Sequence, residues 1–355
     1  MFKMVVCMFK AIFVIIGTII GAGFASGKEI FTFFNVYGAW GFCGLILAEF
    51  IIGFVLYKSF CIILHYNISS YNELIEKLFG KYKFATNVLC NIINIFLLIS
   101  FIVMVAGFAA YFSQEFGLPY FFGAFLMALL SFITFLKNID GIVKVNSVFI
   151  PCLVVITLLL GLNNTCCFKD ITFIPINFSY NFILKSILYA SYNLIIALPI
   201  LITLKKYVTN LKQAKLVSFV TMLFLLFMSV IIFFLLNYYF IDIQTLELPI
   251  VYIATQTGFV YKYICGILIL GAIFTTAISN GYSFLSNLNF LTRKGYIATA
   301  TVICLISIIF SHIGFATLLN LLYPILGFLR IIANNLYTIF FKNALKILHF
   351  IDISI

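Results

Sequence analysis

Gly17-Thr18-Ile19-Ile20-Gly21-Ala22-Gly23-Phe24-Ala25-Ser26-Gly27-Lys28-Glu29 lies inside an otherwise apolar run spanning residues 9–34. Four glycines fall in eleven residues, and each interior glycine costs a helix about 1 kcal/mol relative to alanine. At the helical rise per residue, Gly21 falls about 18 Å into the run, near the middle of a bilayer. Unwound backbone at that depth is tolerated only where protein buries it or where it lines a water-filled cavity. A helix opened there presents free N–H groups and a positive dipole end to an anion such as a carboxylate. Its free carbonyls can hold a cation or an ammonium group. Gly17 and Gly21, like Gly23 and Gly27, also have the spacing of a small-residue packing face. Packing alone leaves Lys28 and Glu29 unexplained, because charges at membrane depth are expensive. This pair reads as a gate on the outer side of the break.

The surrounding composition agrees with a membrane setting. The 355 residues are 65% hydrophobic and 9% charged, with 21 Lys+Arg against 10 Asp+Glu, a net charge of +11. Soluble domains are about 45–50% apolar and about 25% charged, and disordered chains are less apolar still. The basic residues are distributed between apolar runs and form no single soluble face, which argues against nucleic-acid binding. Phe is abundant, at 44 residues, together with Ile, Asn and Lys; that mix reads as compositional bias and not as an aromatic box. Nine cysteines have no CxxC spacing, and only Cys166-Cys167 falls in a loop, so no disulfide framework is expected.

Ten apolar segments are expected, over residues 9–34, 38–64, 84–112, 119–136, 142–161, 178–204, 214–236, 259–288, 295–311 and 313–335. If the N-terminus is inside, fifteen loop Lys and Arg lie on the cytoplasmic side and only Lys169 and Lys262 lie outside. The positive-inside rule therefore places both termini in the cytoplasm and the chain in the cell membrane. The starts of the last five segments follow those of the first five by a nearly constant offset of about 169–176 residues, from boundaries good to a few residues. Regular spacing also arises from short loops alone. Because five spans is an odd number, a second copy must cross the membrane inverted, as in secondary transporters of LeuT type. The expected organisation is a first repeat over 1–161, an outer connection over 162–177, an inverted repeat over 178–336 and a tail over 337–355. Residues 69–83 read as a short surface helix.

The sixth segment is the counterpart of the first. Its mid-span stretch Tyr189-Ala190-Ser191-Tyr192-Asn193 is polar, and Pro199 removes a backbone donor. The segment is therefore expected to be a second broken helix, although a simple proline kink gives the same sequence. The eighth segment carries Thr275, Thr276 and Ser279, whose i,i+3 and i,i+4 spacings share a face. Such hydroxyls can hold a cation or simply bond their own helix. Glu49 falls mid-span in the second segment, where it can carry a coupling proton or act as a structural strut.

The run GTIIGAGFASGKEIFTFF resembles the first helix of the YkvI-type amino-acid permeases, within the amino acid–polyamine–organocation (APC) superfamily. Length and span number extend the resemblance over the whole chain. It implies an all-α polytopic LeuT-type fold with broken helices 1 and 6, and transport of an amino acid or related small amine. Carried over by position, Gly21, Ala22, Gly23, Phe24, Ala25 and Ser26 would meet the substrate carboxylate. Tyr189, Ser191, Tyr192 and Asn193 would face its amino group and side chain. Thr275, Thr276 and Ser279, with Glu49, would serve the coupling ion, Na+ or H+; no other metal or cofactor is implied.

An enzyme is not expected. His65, His312 and His349 lie near segment ends, the Asp residues lie in loops or the tail, and no HExxH, GxSxG or GxxxxGK[ST] pattern occurs. A channel would need a repeated polar lining. The functional alternative is a membrane receptor, like germinant-sensing relatives, that binds an amino acid without moving it. Both need the same pocket. Beyond the substrate and the lipid bilayer, the sequence names no partner.

Overall fold

The computed structural model describes residues 2–79, 83–164, 173, 180–246, 248–288, 292–314 and 317–318. Among them, all regular structure is helical. The elements are α1 (Phe2–Ile19), α2 (Ala22–Ala25), α3 (Lys28–Phe33), α4 (Gly38–His65), α5 (Tyr71–Phe79), α6 (Lys83–Phe116) and α7 (Tyr120–Phe135). They continue with α8 (Asn138–Asn163), α9 (Asn181–Thr203), α10 (Leu211–Tyr238), α11 (Phe240–Ile243), α12 (Pro249–Thr257), α13 (Phe259–Asn287) and α14 (Arg293–Ser311).

Seven of the described helical stretches are long and apolar enough to cross a bilayer, and Val5–Ile19 and Tyr120–Phe135 are shorter apolar helices. Phe121, Phe125, Leu129 and Ile133 recur every fourth residue on α7 and are all exposed. In water that stripe would be a liability. In a bilayer it meets lipid, and the helical backbone satisfies its own hydrogen bonds. The chain is thus an all-α polytopic membrane protein. The tenth expected span, 313–335, and the tail lie almost entirely outside the described residues, as do Cys166-Cys167 and most of the 162–177 connection.

The packing follows the repeat pattern. α4 packs along α10, α6 along α13, α7 along α14, and α1 touches α9. Each of α1, α4, α6 and α7 therefore meets the helix about 175 residues further along, the contact pattern of a LeuT-type inverted-repeat fold. The α6–α13 seam carries two amide contacts: Asn280 Nδ2 donates to Ser100 Oγ at 2.8 Å and Asn287 Nδ2 to Asn94 Oδ1 at 2.7 Å. Interhelical bonds of this kind are worth about 0.6–2 kcal/mol each in membranes.

The short surface helix is present as α5. It begins with a capping box: the Glu73 amide donates to Ser70 Oγ at 3.3 Å, and Glu73 Oε2 accepts from the Ser69 amide at 3.0 Å. The Ser69 amide holds the Glu73 carboxyl below its ordinary range.

One expectation fails. The sixth segment is not broken: α9 is helical from Asn181 through Thr203, with Pro199 inside it. Its polar side chains turn onto their own backbone. Ser191 Oγ donates to the Ile187 carbonyl at 2.7 Å, and Asn193 Nδ2 to the Tyr189 carbonyl at 3.0 Å. Such bonds consume polar groups without opening the ladder. Pro199 deprives only the Ile195 carbonyl of its amide partner.

Candidate functional site at the interrupted first helix

The first segment is interrupted twice. At the end of α1 the Ile20 amide still reaches the Ile16 carbonyl, at 2.8 Å, but the Gly21 amide turns to Ile19, at 3.0 Å. Gly17 thereby loses its intrahelical partner. The next ladder bond, Ala25 N–H to the Gly21 carbonyl at 2.9 Å, closes the short α2. The amides of Ala22, Gly23 and Phe24 stand at its start, outside the ladder, as at any helix N-terminus. The second interruption is at Gly27, whose φ of 81° lies in the left-handed region that favours glycine. Ser26 stabilises this turn: its hydroxyl donates to the Gly23 carbonyl at 3.2 Å and accepts from the Lys28 amide at 3.4 Å. The Ser26 carbonyl accepts from the Ile250 amide of α12 at 2.9 Å.

The released carbonyls of the first interruption meet α13. Thr276 Oγ1 lies 2.9 Å from the Ile20 carbonyl oxygen and 3.2 Å from that of Gly17. A Cβ on Gly21 would meet Thr276 in ordinary van der Waals contact, at 3.4 Å. Thr275 Oγ1 donates to the Ala272 carbonyl at 3.1 Å. Ser279, one turn further on, is buried and its hydroxyl has no partner. On the other side of α1, the space left by the absent Gly17 side chain is filled by the Asn146 side chain of α8. Asn146 Nδ2 bonds the Ile142 carbonyl at 3.0 Å, while Oδ1 is buried without a partner. Carbonyl and hydroxyl oxygens brought together at a buried helix break suit a hard cation.

Lys28 and Glu29 diverge. Lys28 Nζ donates to the Leu246 carbonyl at 2.6 Å and lies 5.9 Å from the Phe31 ring centroid. It ties α3 to the chain between α11 and α12. Glu29 folds back towards α2, where its carboxyl occupies the space that a Cβ on Gly23 would need. Its Oε2 is buried without a partner.

Across from α3, Tyr189 is 1% exposed and stands edge-on to Phe33 and Phe34, with centroids 5.5 and 5.1 Å away. Asn193 is fully buried, and its Oδ1 is unpartnered. Tyr192 is half-buried and packs edge-on to Phe96 of α6 at 6.2 Å. Ser191 is also half-buried, with its hydroxyl spent on its own helix. Phe24 and Ala25 face a narrow apolar cleft that they share with Ile20, Thr157, Met228 and Ile232. The Phe24 and Ala25 side chains therefore face different neighbours from Tyr189. Glu49 of α4 is 1% exposed, its Oε2 has no partner, and the Ser229 hydroxyl of α10 lies within reach of its carboxyl.

Reading side chains alone misses the carbonyls of Gly17, Ile20 and Ala272, which every residue possesses. It also misses Asn146 and Ser229, polar residues that carry no motif. Gly17 was visible in the glycine run, but as a packing residue.

No family model matches the sequence. The chain is similar to two proteins of Bacillus subtilis (strain 168). It is 27% identical over 332 residues to the uncharacterized membrane protein YkvI, covering 90% of this chain and 92% of that protein. It is 26% identical over 329 residues to the uncharacterized protein YyaD, covering 91% and 93%. Among solved structures, that of a Na+-coupled sialic acid symporter in its substrate-bound outward-open state superposes with a TM-score of 0.66. The match covers 94% of this chain and 78% of the symporter, at 14% identity. This likeness extends to the fold.

Proposed function

We propose that the chain is a secondary active transporter that moves an amino acid or related small amine across the cell membrane by alternating access around the interrupted first helix. The observation that carries this reading is the Thr276 hydroxyl lying between the released carbonyls of Gly17 and Ile20. In this reading a cation joins those oxygens, with Thr275 and the Ala272 carbonyl beside them, and fixes α1 against α13. Within the stretch from Gly21 to Ser26, the amides of Ala22, Gly23 and Phe24 at the start of α2 take the substrate carboxylate. Tyr189 and Asn193, the buried members of the α9 stretch, line the opposite wall, with Ser191 and Tyr192 at its edge. Lys28 closes the outer side by holding the chain before α12. The fold likeness to a Na+-coupled symporter supports the carrier class. The full arrangement in this reading is ten spans in two inverted five-helix repeats, 1–161 and 178–336, with both termini cytoplasmic.

Binding energy does the work. A cation and a substrate that both favour one arrangement of α1–α3 shift its population, and each raises the affinity of the other by the same factor. The test is uptake of pooled radiolabelled amino acids into proteoliposomes, with a Na+ or a H+ gradient imposed separately. Uphill accumulation under either gradient is the expected result. A ligand that binds but never accumulates or exchanges would overturn the carrier reading and leave a receptor.

A further inference from the structure

The carrier reading leaves Glu29 without a role, yet its carboxyl stands at the break itself. Glu29 belongs to α3, the outer arm of the interrupted first segment, and turns back to fill the space that a Cβ on Gly23 would need. Glu29 and Phe33 are four residues apart on α3 and share a face. Phe33 meets Tyr189 of α9 edge-on, with centroids 5.5 Å apart, and the Tyr189 hydroxyl is within electrostatic range of the Glu29 carboxyl. The carboxyl therefore lies between α2 and the buried wall of α9, where the carrier reading puts the substrate.

Its Oε2 is buried and meets no hydrogen-bond partner. The nearby bases are engaged elsewhere. Lys28 Nζ donates to the Leu246 carbonyl at 2.6 Å, and Lys185 Nζ of α9 lies over the Phe33 ring, 5.6 Å from its centroid. Among the described residues the ion pairs are Lys206–Asp140 and Lys262–Glu115, neither of which includes Glu29. An unpaired carboxylate lodged between packed helices is costly, and a cation that brings its own hydrogen-bond donors removes that cost. Two features select the kind of cation. A hard metal ion takes about six oxygen ligands, and among the described residues Glu29 belongs to no group of three His, Cys, Asp or Glu side chains. Its surroundings are aromatic instead, with Phe33, Phe34 and Tyr189 packed edge to edge. Aromatic faces attract an organic ammonium, and Phe33 already receives the Lys185 ammonium in this way. The second feature is the carboxylate itself. A substrate carboxylate held against Gly23 would face Glu29 in low dielectric, where like charges disfavour each other.

We infer that Glu29 determines substrate class: its carboxylate receives the ammonium group of a small primary amine and stands where the carboxylate of an amino acid would otherwise sit. The ammonium supplies the donors that Oε2 lacks, and the organic part of the amine lies along the aromatic wall of Phe33, Phe34 and Tyr189. Gly23 is part of the same device, because any side chain there would displace the Glu29 carboxyl. The inference rests on the carrier reading for the position of the substrate at the break. It decides between the two substrate classes of that reading, in favour of the amine, and its first test needs no transport.

The test is thermal unfolding of the full-length chain in detergent with pairs of compounds that differ by one carboxylate: isopentylamine and leucine, phenethylamine and phenylalanine, putrescine and ornithine. A compound that binds the folded chain raises Tm once its concentration exceeds Kd. At least one amine is expected to act at a concentration about tenfold or more below that of its amino acid. Glu29→Gln should weaken that amine by about 10–100-fold, the range for a lost charge-assisted hydrogen bond, and abolish the preference. Glu29→Asp, which keeps the charge, should keep the preference, and with the wild-type comparison it decides the question if Glu29→Gln fails to fold. An amino acid that acts as well as its amine, no shift from any of the amines, or a preference unchanged in Glu29→Gln would each overturn the proposal. So would a rise in Tm on adding NaCl alone that Glu29→Gln abolishes, because the carboxylate would then hold a metal ion. Amine binding without uphill uptake would leave this site standing while the carrier reading fails; uphill uptake of amino acids without amine binding would do the reverse.

Discussion

The first and sixth segments both carry residues that weaken a helix at mid-span, yet only the first opens. In the first, glycines remove side chains where α8 and Glu29 press in, and each released carbonyl is met by a group from elsewhere: Thr276 at Gly17 and Ile20, and the Ile250 amide at Ser26. In the sixth, Ser191 and Asn193 bond the carbonyls of their own helix, and Pro199 removes one donor without an outside group being shown to claim the freed acceptor. The difference teaches that polarity does not break a membrane helix. A break needs backbone freedom together with a tertiary partner for the groups it exposes.

The largest effect should come from filling the space beside the break. Gly17→Leu drives a side chain into Asn146 and Ile150, and overpacking of this kind costs about 1–3 kcal/mol. A clear fall in Tm in detergent and loss of uptake are expected. Unchanged Tm would mean that α1 and α8 are not held at the distance described.

Thr276→Val comes next. It keeps the shape but removes the single hydroxyl proton that the Gly17 and Ile20 carbonyls share, at about 1–3 kcal/mol for a buried unsatisfied group. The cation concentration for half-maximal uptake should rise about 10–100-fold, the range seen when supporting groups of a metal site are removed. An unchanged cation response would remove Thr276 from the site. Pro199→Ala is the smallest. It returns an amide to a helix that is already continuous, so stability should change by no more than about 1 kcal/mol and uptake should persist. Abolished uptake would show that the freed Ile195 carbonyl has a functional role, and the contrast between the two segments would collapse.

The glycine run made the first interruption legible, because Gly21 and Gly27 are weak helix formers whatever surrounds them. The hydroxyls of Thr275 and Thr276 were legible because each shares a helix face with Ser279. Their partners were not, since main-chain carbonyls leave no trace in a side-chain pattern, and Thr276 lies 256 and 259 residues from Ile20 and Gly17 in the chain. The continuity of α9 was hidden for the opposite reason: Ser191 and Asn193 look like site residues until their own carbonyls claim them. Lys28 and Glu29, adjacent in sequence, read as one gate, but residues next to each other on a helix point about 100° apart. One reaches Leu246, while the other turns in towards Gly23.

Alternating access at the break is the central claim, and Ser26 reports on it most directly. It is 2% exposed, and cysteine is close to it in size. In a chain whose native cysteines have been replaced, Ser26→Cys would be exposed to a membrane-impermeant maleimide from either face of oriented vesicles. Conditions would be varied between Na+ and choline and between acid and neutral pH. The account predicts labelling from both faces, with the favoured face switching as the ion changes. Labelling confined to one face under every condition would contradict it.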